Sequence, residues 1–124
     1  MKTLYVMDPL RSLHLEGDST YMMMLEANRR GWPTYWCTPK DLFAVGGRSY
    51  SKATYVKVTE TEPFFDEAEP QDIDLGSFDV IWMRKDPPFN MDYIFSTYMC
   101  TRERNRTGAY IIHSRLANPP PYAR

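Results

Sequence analysis

Residues 78–89 read FDVIWMRKDPPF, an apolar run that changes abruptly to charged residues and prolines. The first half has the continuous apolar character of a strand that is covered on both faces of a sheet. Arg84 marks the point where the chain leaves the core, and the two prolines fix the direction of the backbone beyond it. The stretch therefore predicts a buried strand whose carboxyl end carries charged side chains.

A strand, a helix and a second strand precede this stretch. Residues 4–7 (LYVM) form an apolar run that Asp8 and Pro9 close, and residues 20–30 have apolar side chains at helical spacing. Gly31 stops that helix, and residues 32–37 (WPTYWC) are β-prone. Because a β-α-β unit almost always crosses over right-handed between parallel strands, these elements predict a parallel sheet.

The remaining segments predict smaller additions to that sheet. Gly46 and Gly47 lie between residues 42–45 (LFAV) and 48–50 (RSY) and predict a hairpin. Residues 60–77 are rich in acidic residues, which indicates a solvated loop with at most a short helical turn. Residues 91–104 predict a second helix and residues 109–112 a last strand. One face of that helix carries Ile94, Phe95, Tyr98 and Met99. The fold class is α/β, a doubly wound three-layer domain with a mainly parallel sheet and a small antiparallel excursion.

Composition excludes several classes of protein. The chain has 124 residues, which suits one hydrophobic core, and its net charge of -1 gives no bulk attraction to nucleic acid or to anionic lipid. No apolar stretch approaches the roughly 20 residues of a membrane span, so we expect a cytoplasmic protein. The two cysteines, Cys37 and Cys100, fit free thiols better than a disulfide or a zinc site. Nucleotide-binding and hydrolase motifs are missing, and we assign no catalytic and no metal-binding residue.

Charged and hydroxyl side chains gather where the predicted strands end. Open α/β sheets bind ligands at the carboxyl ends of their strands, which directs attention to Arg84 and Lys85 and to the helix start at Asp18 and Ser19. Arg84 suits bidentate recognition of a carboxylate. A surface ion pair between Arg84 and Asp86, and simple helix capping by Asp18 and Ser19, are the structural alternatives that the residues alone leave open.

Four segments, taken in order, resemble the N-terminal domain of bacterial glutathione synthetases over residues 3–112. They are residues 6–9 (VMDP), 18–22 (DSTYM) with 25–31 (LEANRRG), 41–42 (DL), and 83–89 (MRKDPPF) with Tyr93. The MRKDPPF segment is the most specific. The family consists of ATP-grasp ligases, which join γ-glutamylcysteine and glycine through an acyl phosphate. The resemblance implies a Rossmann-like pre-ATP-grasp domain that binds the peptide substrate, while ATP and Mg²⁺ belong to later domains.

The same resemblance implies roles for individual residues. Arg84 would bind the substrate anion, and four further residues would shape the pocket. These four are Lys85, Asp86, Asp18 and Ser19. The implied partners are γ-glutamylcysteine or glutathione, bound weakly, and further copies of the chain in a homo-oligomer.

The chain departs from the family pattern after Ile112. We expect residues 1–112 to be the substrate-binding domain and residues 113–124 to be a divergent, proline-rich tail without the ATP-grasp domain. The chain alone should then be inactive, whether it is a truncated or frame-disrupted product or a divergent isolated domain. The alternative is a stand-alone binding or assembly module. A flavodoxin-like or nucleotide-binding protein ranks last, because no phosphate loop is present.

Overall fold

Strands and helices alternate along the computed structural model, which describes residues 1–13, 19–84, 91–107 and 110–113. The strands are β1 (Thr3–Val6), β2 (Thr34–Cys37), β3 (Leu42–Val45), β4 (Arg48–Val58), β5 (Phe65–Glu67), β6 (Gln71–Asp74), β7 (Val80–Met83) and β8 (Tyr110–His113). The α-helices are α1 (Ser19–Arg29) and α2 (Met91–Thr107). Within these described ranges, single-turn 3₁₀ helices cover Leu10–Ser12, Pro39–Asp41 and Leu75–Ser77.

Strand β1 lies in the middle of the parallel part of the sheet. Four strands run parallel in the order β2-β1-β7-β8, with Thr3 opposite Thr34 on one side and opposite Val80 on the other. Every side chain of β1 is buried, which agrees with its unbroken apolar sequence. The predicted central strands at residues 4–7 and 78–83 are therefore confirmed within one or two residues.

Helix α1 follows the predicted boundaries closely. Gly31 has a φ of 75°, which a residue with a side chain adopts only with strain. Its N–H donates to the carbonyl of Asn28, and the N–H of Trp32 donates to that of Ala27, so the last carbonyls of the helix are satisfied. The chain then enters β2 directly and completes the predicted β-α-β unit.

The two helices cover opposite faces of the sheet. Successive residues of β1 belong to different clusters of buried side chains, Leu4 to one and Tyr5 to the other. Cys100 of α2 lies in the first cluster, and Met24 of α1 lies in the second. The protein therefore has the layers of a mixed α/β fold, with α1 and α2 separated by the sheet.

The prediction of a mainly parallel sheet is not confirmed. In the described chain, β4 runs antiparallel to β2, β3, β5 and β6, so antiparallel pairing makes up a large part of the sheet. The 11-residue strand β4 is long enough to pair with different neighbours along its length. The antiparallel excursion is thus larger than the hairpin at Gly46 and Gly47 that the sequence indicates.

The prediction of a solvated loop with a short helical turn over residues 60–77 is right about the exposure and about the turn at Leu75–Ser77, but wrong about the strands. Strands β5 and β6 occupy part of this segment and pair with β4 through their backbones. Their acidic side chains are mostly exposed, which explains the loop-like composition. Leu75, which is fully buried, then anchors the short helix that leads into β7.

Helix α2 agrees with the predicted second helix but continues to Thr107. Of the predicted apolar face, Ile94, Phe95 and Tyr98 are exposed, whereas Met99 is partly buried and packs against the core. The buried face carries Ser96, Cys100 and Glu103 instead. Among the described residues, no helix is long and apolar enough to cross a membrane.

Candidate anion-binding site at the sheet edge

The parallel strands place a topological switch point between β1 and β7. From β1 the chain crosses through α1 to β2 on one side, and β7 lies on the other side of β1. Loops that leave the carboxyl ends of two such strands diverge and open a crevice, which is where ligands bind in open α/β sheets. Arg84 stands at this crevice, since its N–H donates to the carbonyl of Val6, 2.7 Å away, at the end of β1.

The Arg84 side chain is held on the first turn of α1. Its Nε donates to Oγ1 of Thr20 at 2.9 Å, and Nη2 donates to Oγ of Ser19 at 2.5 Å. Met83, the preceding residue, belongs to the buried cluster on the α2 side. Because side chains alternate along a strand, Arg84 points to the opposite side, where α1 begins.

An aromatic pair lies beneath this arginine. Tyr5 is buried and stacks on Trp82 of the neighbouring strand, with ring centroids 6.2 Å apart. Burial raises the pKa of Tyr5 to about 12, and the side chain of Thr3 and the positive charge of Arg84 oppose that rise. The phenol therefore stays neutral at physiological pH, so it does not neutralise the arginine.

The arrangement leaves Arg84 able to bind an anion. Both hydroxyl partners are neutral, and no carboxylate among the described residues forms an ion pair with Arg84. A guanidinium has five N–H donors, of which these two bonds use two. The remaining donors suit a carboxylate or phosphate group.

The structure brings together two of the predicted site residues. Arg84 and Ser19 are in direct contact. Asp18, Lys85 and Asp86 lie outside the described residues, so their part in the site stays a prediction, as does the alternative ion pair between Arg84 and Asp86.

Thr20 is a site residue that the sequence reasoning missed. Its hydroxyl accepts a hydrogen bond from Arg84, and its side chain is 6% exposed. A threonine in a first helical turn usually has only a structural role. One feature of the sequence could have indicated Thr20. It is a second hydroxyl residue, directly after Ser19, in the first turn of the helix that follows the first strand.

The described part of the chain holds a cleft away from Arg84 but no metal-binding cluster. No group of three or more His, Cys, Asp or Glu side chains there is placed to hold a metal ion. A cleft of about 520 Å³ lies where α1 ends and β2 begins, lined by Trp32, Tyr55 and Lys57 among others. It is remote from Arg84, because it adjoins the opposite end of α1.

Comparison with known proteins agrees with the resemblance of the four sequence segments. The family described as "Prokaryotic glutathione synthetase, N-terminal domain" matches residues 1–115. A glutathione synthetase of Citrobacter rodentium is 35% identical over 109 residues, which are 87% of this chain and 34% of that protein. The glutathione synthetase of Escherichia coli K12 has the same identity and coverage.

A third relative is somewhat more similar over a shorter stretch. The glutathione synthetase of Pseudomonas putida is 38% identical over 101 residues, which are 81% of this chain and 32% of that protein. The chain thus spans about a third of the length of the relatives that it matches.

Proposed function

The chain belongs to the family of prokaryotic glutathione synthetase N-terminal domains, and on this premise we propose that it binds γ-glutamylcysteine for an ATP-dependent ligase. The complete reaction would join γ-glutamylcysteine and glycine through an acyl phosphate. In this proposal the chain is the Rossmann-like pre-ATP-grasp domain and works in the cytoplasm. ATP and Mg²⁺ would bind to the other domains of such an enzyme.

The position of Arg84 is the observation that carries the proposal. The guanidinium lies at the switch point of the sheet, and hydrogen bonds to Ser19 and Thr20 fix its orientation. A carboxylate bound there would meet a donor whose position is already set before the substrate arrives. Arg84 would hold the dipeptide in place, while the transfer of phosphate takes place elsewhere.

Substitution of Arg84 tests this role. We expect saturable binding of γ-glutamylcysteine to the chain by isothermal titration calorimetry, and weaker binding to Arg84→Ala. Hydrogen bonds to a charged group contribute about 1.5–3 kcal/mol, so the dissociation constant should rise about 10- to 100-fold. Arg84→Lys keeps the charge but loses the planar fork, and its affinity should lie between the two.

Arg29→Ala is the matched control. Arg29 lies at the other end of α1 and pairs with Glu26 on the surface, so its loss should leave the affinity unchanged. Equal affinities for the wild-type chain and Arg84→Ala, or no binding to the wild-type chain, would contradict the proposed role.

Formation of glutathione by the isolated chain is tested separately from binding of the dipeptide. The proposal assigns phosphoryl transfer to other domains, so the purified chain should form no glutathione from γ-glutamylcysteine, glycine, ATP and Mg²⁺. Formation of glutathione by this chain alone would contradict that division of labour, even if Arg84 binds the dipeptide.

A further inference from the structure

An aromatic row, formed by Trp36, Tyr5 and Trp82, crosses the sheet on the side that faces α1. Tyr5 is opposite Trp36 of β2 on one side and opposite Trp82 of β7 on the other. The rings of Tyr5 and Trp82 are nearly parallel, with an angle of 7° between their planes. Tyr5 is buried, whereas both indoles are only partly buried. The two indoles therefore keep part of their surface available for contact with a ligand.

The position of α1 explains why Trp82 is not fully covered. Helix α1 packs on β2 and β4, and β7 lies on the other side of β1 from these strands. Among the described residues, Trp82 is the only side chain of β7 that packs against the buried cluster on the α1 side. Trp82 thus lies at the margin of the surface that the helix covers.

Trp82 and Arg84 lie on the same side of the sheet. Side chains two residues apart along a strand project from one face, and they are separated by roughly 7 Å. Ser19 and Thr20 hold the side of the guanidinium formed by Nε and Nη2, which leaves Nη1 and a second N–H of Nη2 for a ligand. A ligand bound to Arg84 therefore has an apolar surface within reach.

We propose that Trp82 is a second contact for the ligand of Arg84, and that its indole receives the thiol-bearing side chain of γ-glutamylcysteine. The contact rests on the proposed binding role of Arg84 and adds which part of the dipeptide the neighbouring surface recognises. A thiol behaves as a small apolar group, and sulfur interacts favourably with aromatic rings, often at the ring edge. A hydroxyl at the same place would lose its hydrogen bonds to water. The indole therefore favours a thiol over a hydroxyl.

Trp36, at the other end of the aromatic row, is the matched control for Trp82. It has the same level in the sheet, faces the same side and is likewise partly buried. Its Nε1 donates to the carboxylate of Glu67 at 2.9 Å, and its strand lies on the far side of β1 from Arg84. A ligand held by Arg84 should therefore contact Trp82 and not Trp36.

Tryptophan fluorescence of the full chain tests this contact. The chain has three tryptophans, so Trp32→Phe/Trp36→Phe leaves Trp82 as the only indole. Titration with γ-glutamylcysteine should change the emission of this variant, with the dissociation constant that calorimetry gives. Trp32→Phe/Trp82→Phe keeps Trp36 instead, and its emission should stay unchanged.

Selectivity between two dipeptides tests the recognition of the thiol. The wild-type chain should bind γ-glutamylcysteine about 2- to 10-fold more tightly than γ-glutamylserine, which is the range of a sulfur–aromatic contact. Trp82→Leu should lose most of this preference, and Trp82→Phe should keep part of it because a ring remains. Trp36→Leu should keep all of it.

Two results would overturn the contact and leave the role of Arg84 intact. One is calorimetric binding that requires Arg84 but does not change the emission of Trp82. The other is a preference for the thiol that survives Trp82→Leu. Absence of binding to the wild-type chain would overturn the contact and the role of Arg84 together. If circular dichroism shows that Trp82→Leu is misfolded, the variant with Trp82 as its only indole decides, since it retains that side chain.

Discussion

Arg84 differs from an ordinary surface arginine in the nature of its partners. Among the described residues, it is held by the neutral hydroxyls of Ser19 and Thr20 rather than by a carboxylate. Hydroxyls fix the direction of a guanidinium without neutralising its charge. The proposed binding of a carboxylate needs such an arrangement, because neither hydroxyl reduces the charge of the guanidinium.

Part of this site could be read from the sequence. The sequence indicates Arg84 because an apolar strand ends at it, and Ser19 because it begins a helix after the first strand. Thr20 was not found, since its contact with Arg84 depends on how closely the helix approaches the strand end. That distance is set by packing between elements 64 residues apart in sequence, which no local pattern encodes.

Substitution of Glu103 is expected to lower the stability of the protein. Its buried carboxylate accepts the N–H of Ser49, so Glu103→Ala would leave that N–H unsatisfied in the interior. An unsatisfied buried donor costs about 1–3 kcal/mol, and we expect a loss of that size in the free energy of unfolding. Urea denaturation measures it.

Glu103→Gln is the control for this prediction. The amide oxygen can still accept from Ser49, so the loss should be smaller than for Glu103→Ala. If the two variants are equally stable, the hydrogen bond to Ser49 does not anchor α2.

At the scale of single elements, the sequence predicts the apolar strands and the hairpin at Gly46 and Gly47, but not β5 and β6. Strand β6 (Gln71–Asp74) has three polar residues out of four and reads as a loop. Its pairing with β4 uses backbone groups, which are the same for every sequence, and only Ile73 packs on the core. Helix α2 shows the converse, since its apolar side chains reveal the helix but not the direction of its buried face.

The turn between β3 and β4 depends on its two glycines. Gly46 has a φ of 58° and Gly47 a φ of 82°, and the flanking residues Val45 and Arg48 pair directly. A two-residue hairpin loop of this kind requires positive φ at both positions. A β-carbon at Gly46 would meet no atom within 4 Å, so a substitution there tests the backbone conformation alone.

We expect Gly46→Val to destabilise the protein and Gly46→Asn to be nearly neutral. The left-handed conformation costs a residue with a β-carbon roughly 1–2 kcal/mol, while asparagine adopts it more readily. Urea denaturation of both variants gives the difference. Equal stabilities would mean that the turn can change its conformation without cost to the sheet.

For the molecule as a whole, buried groups that ionise at high pH should set the alkaline limit of stability. Burial raises the pKa of Cys100 from 9.0 to about 12 and that of Tyr5 from 10.0 to about 12. Burial also raises the pKa of Cys37. At a pH between its ordinary pKa and its raised pKa, each group is ionised in the unfolded chain and protonated in the folded one. The free energy of unfolding must therefore fall as pH rises through this range.

Urea denaturation at a series of pH values tests this dependence. Stability should decline from about pH 9 to about pH 12, the interval between the ordinary pKa of a thiol and the raised pKa of Cys100. Cys100→Ala should give a shallower decline, and Tyr5→Phe should do so only above about pH 10. A decline that neither substitution changes would assign the alkaline instability to other groups.

The contrasting neighbours of β4 and β1 have a consequence for the order of folding during synthesis. Strand β4 pairs with β3, β5 and β6, which lie next to it in the sequence. Pairing in this antiparallel part therefore closes only short loops. Strand β1 needs β7, where Thr3 pairs with Val80, and this closes a long loop. On the ribosome β1 emerges first and completes its pairing only after β7 has emerged. Until then β1 lacks the neighbour that pairs with one of its edges, and in this period a chaperone would protect the nascent chain.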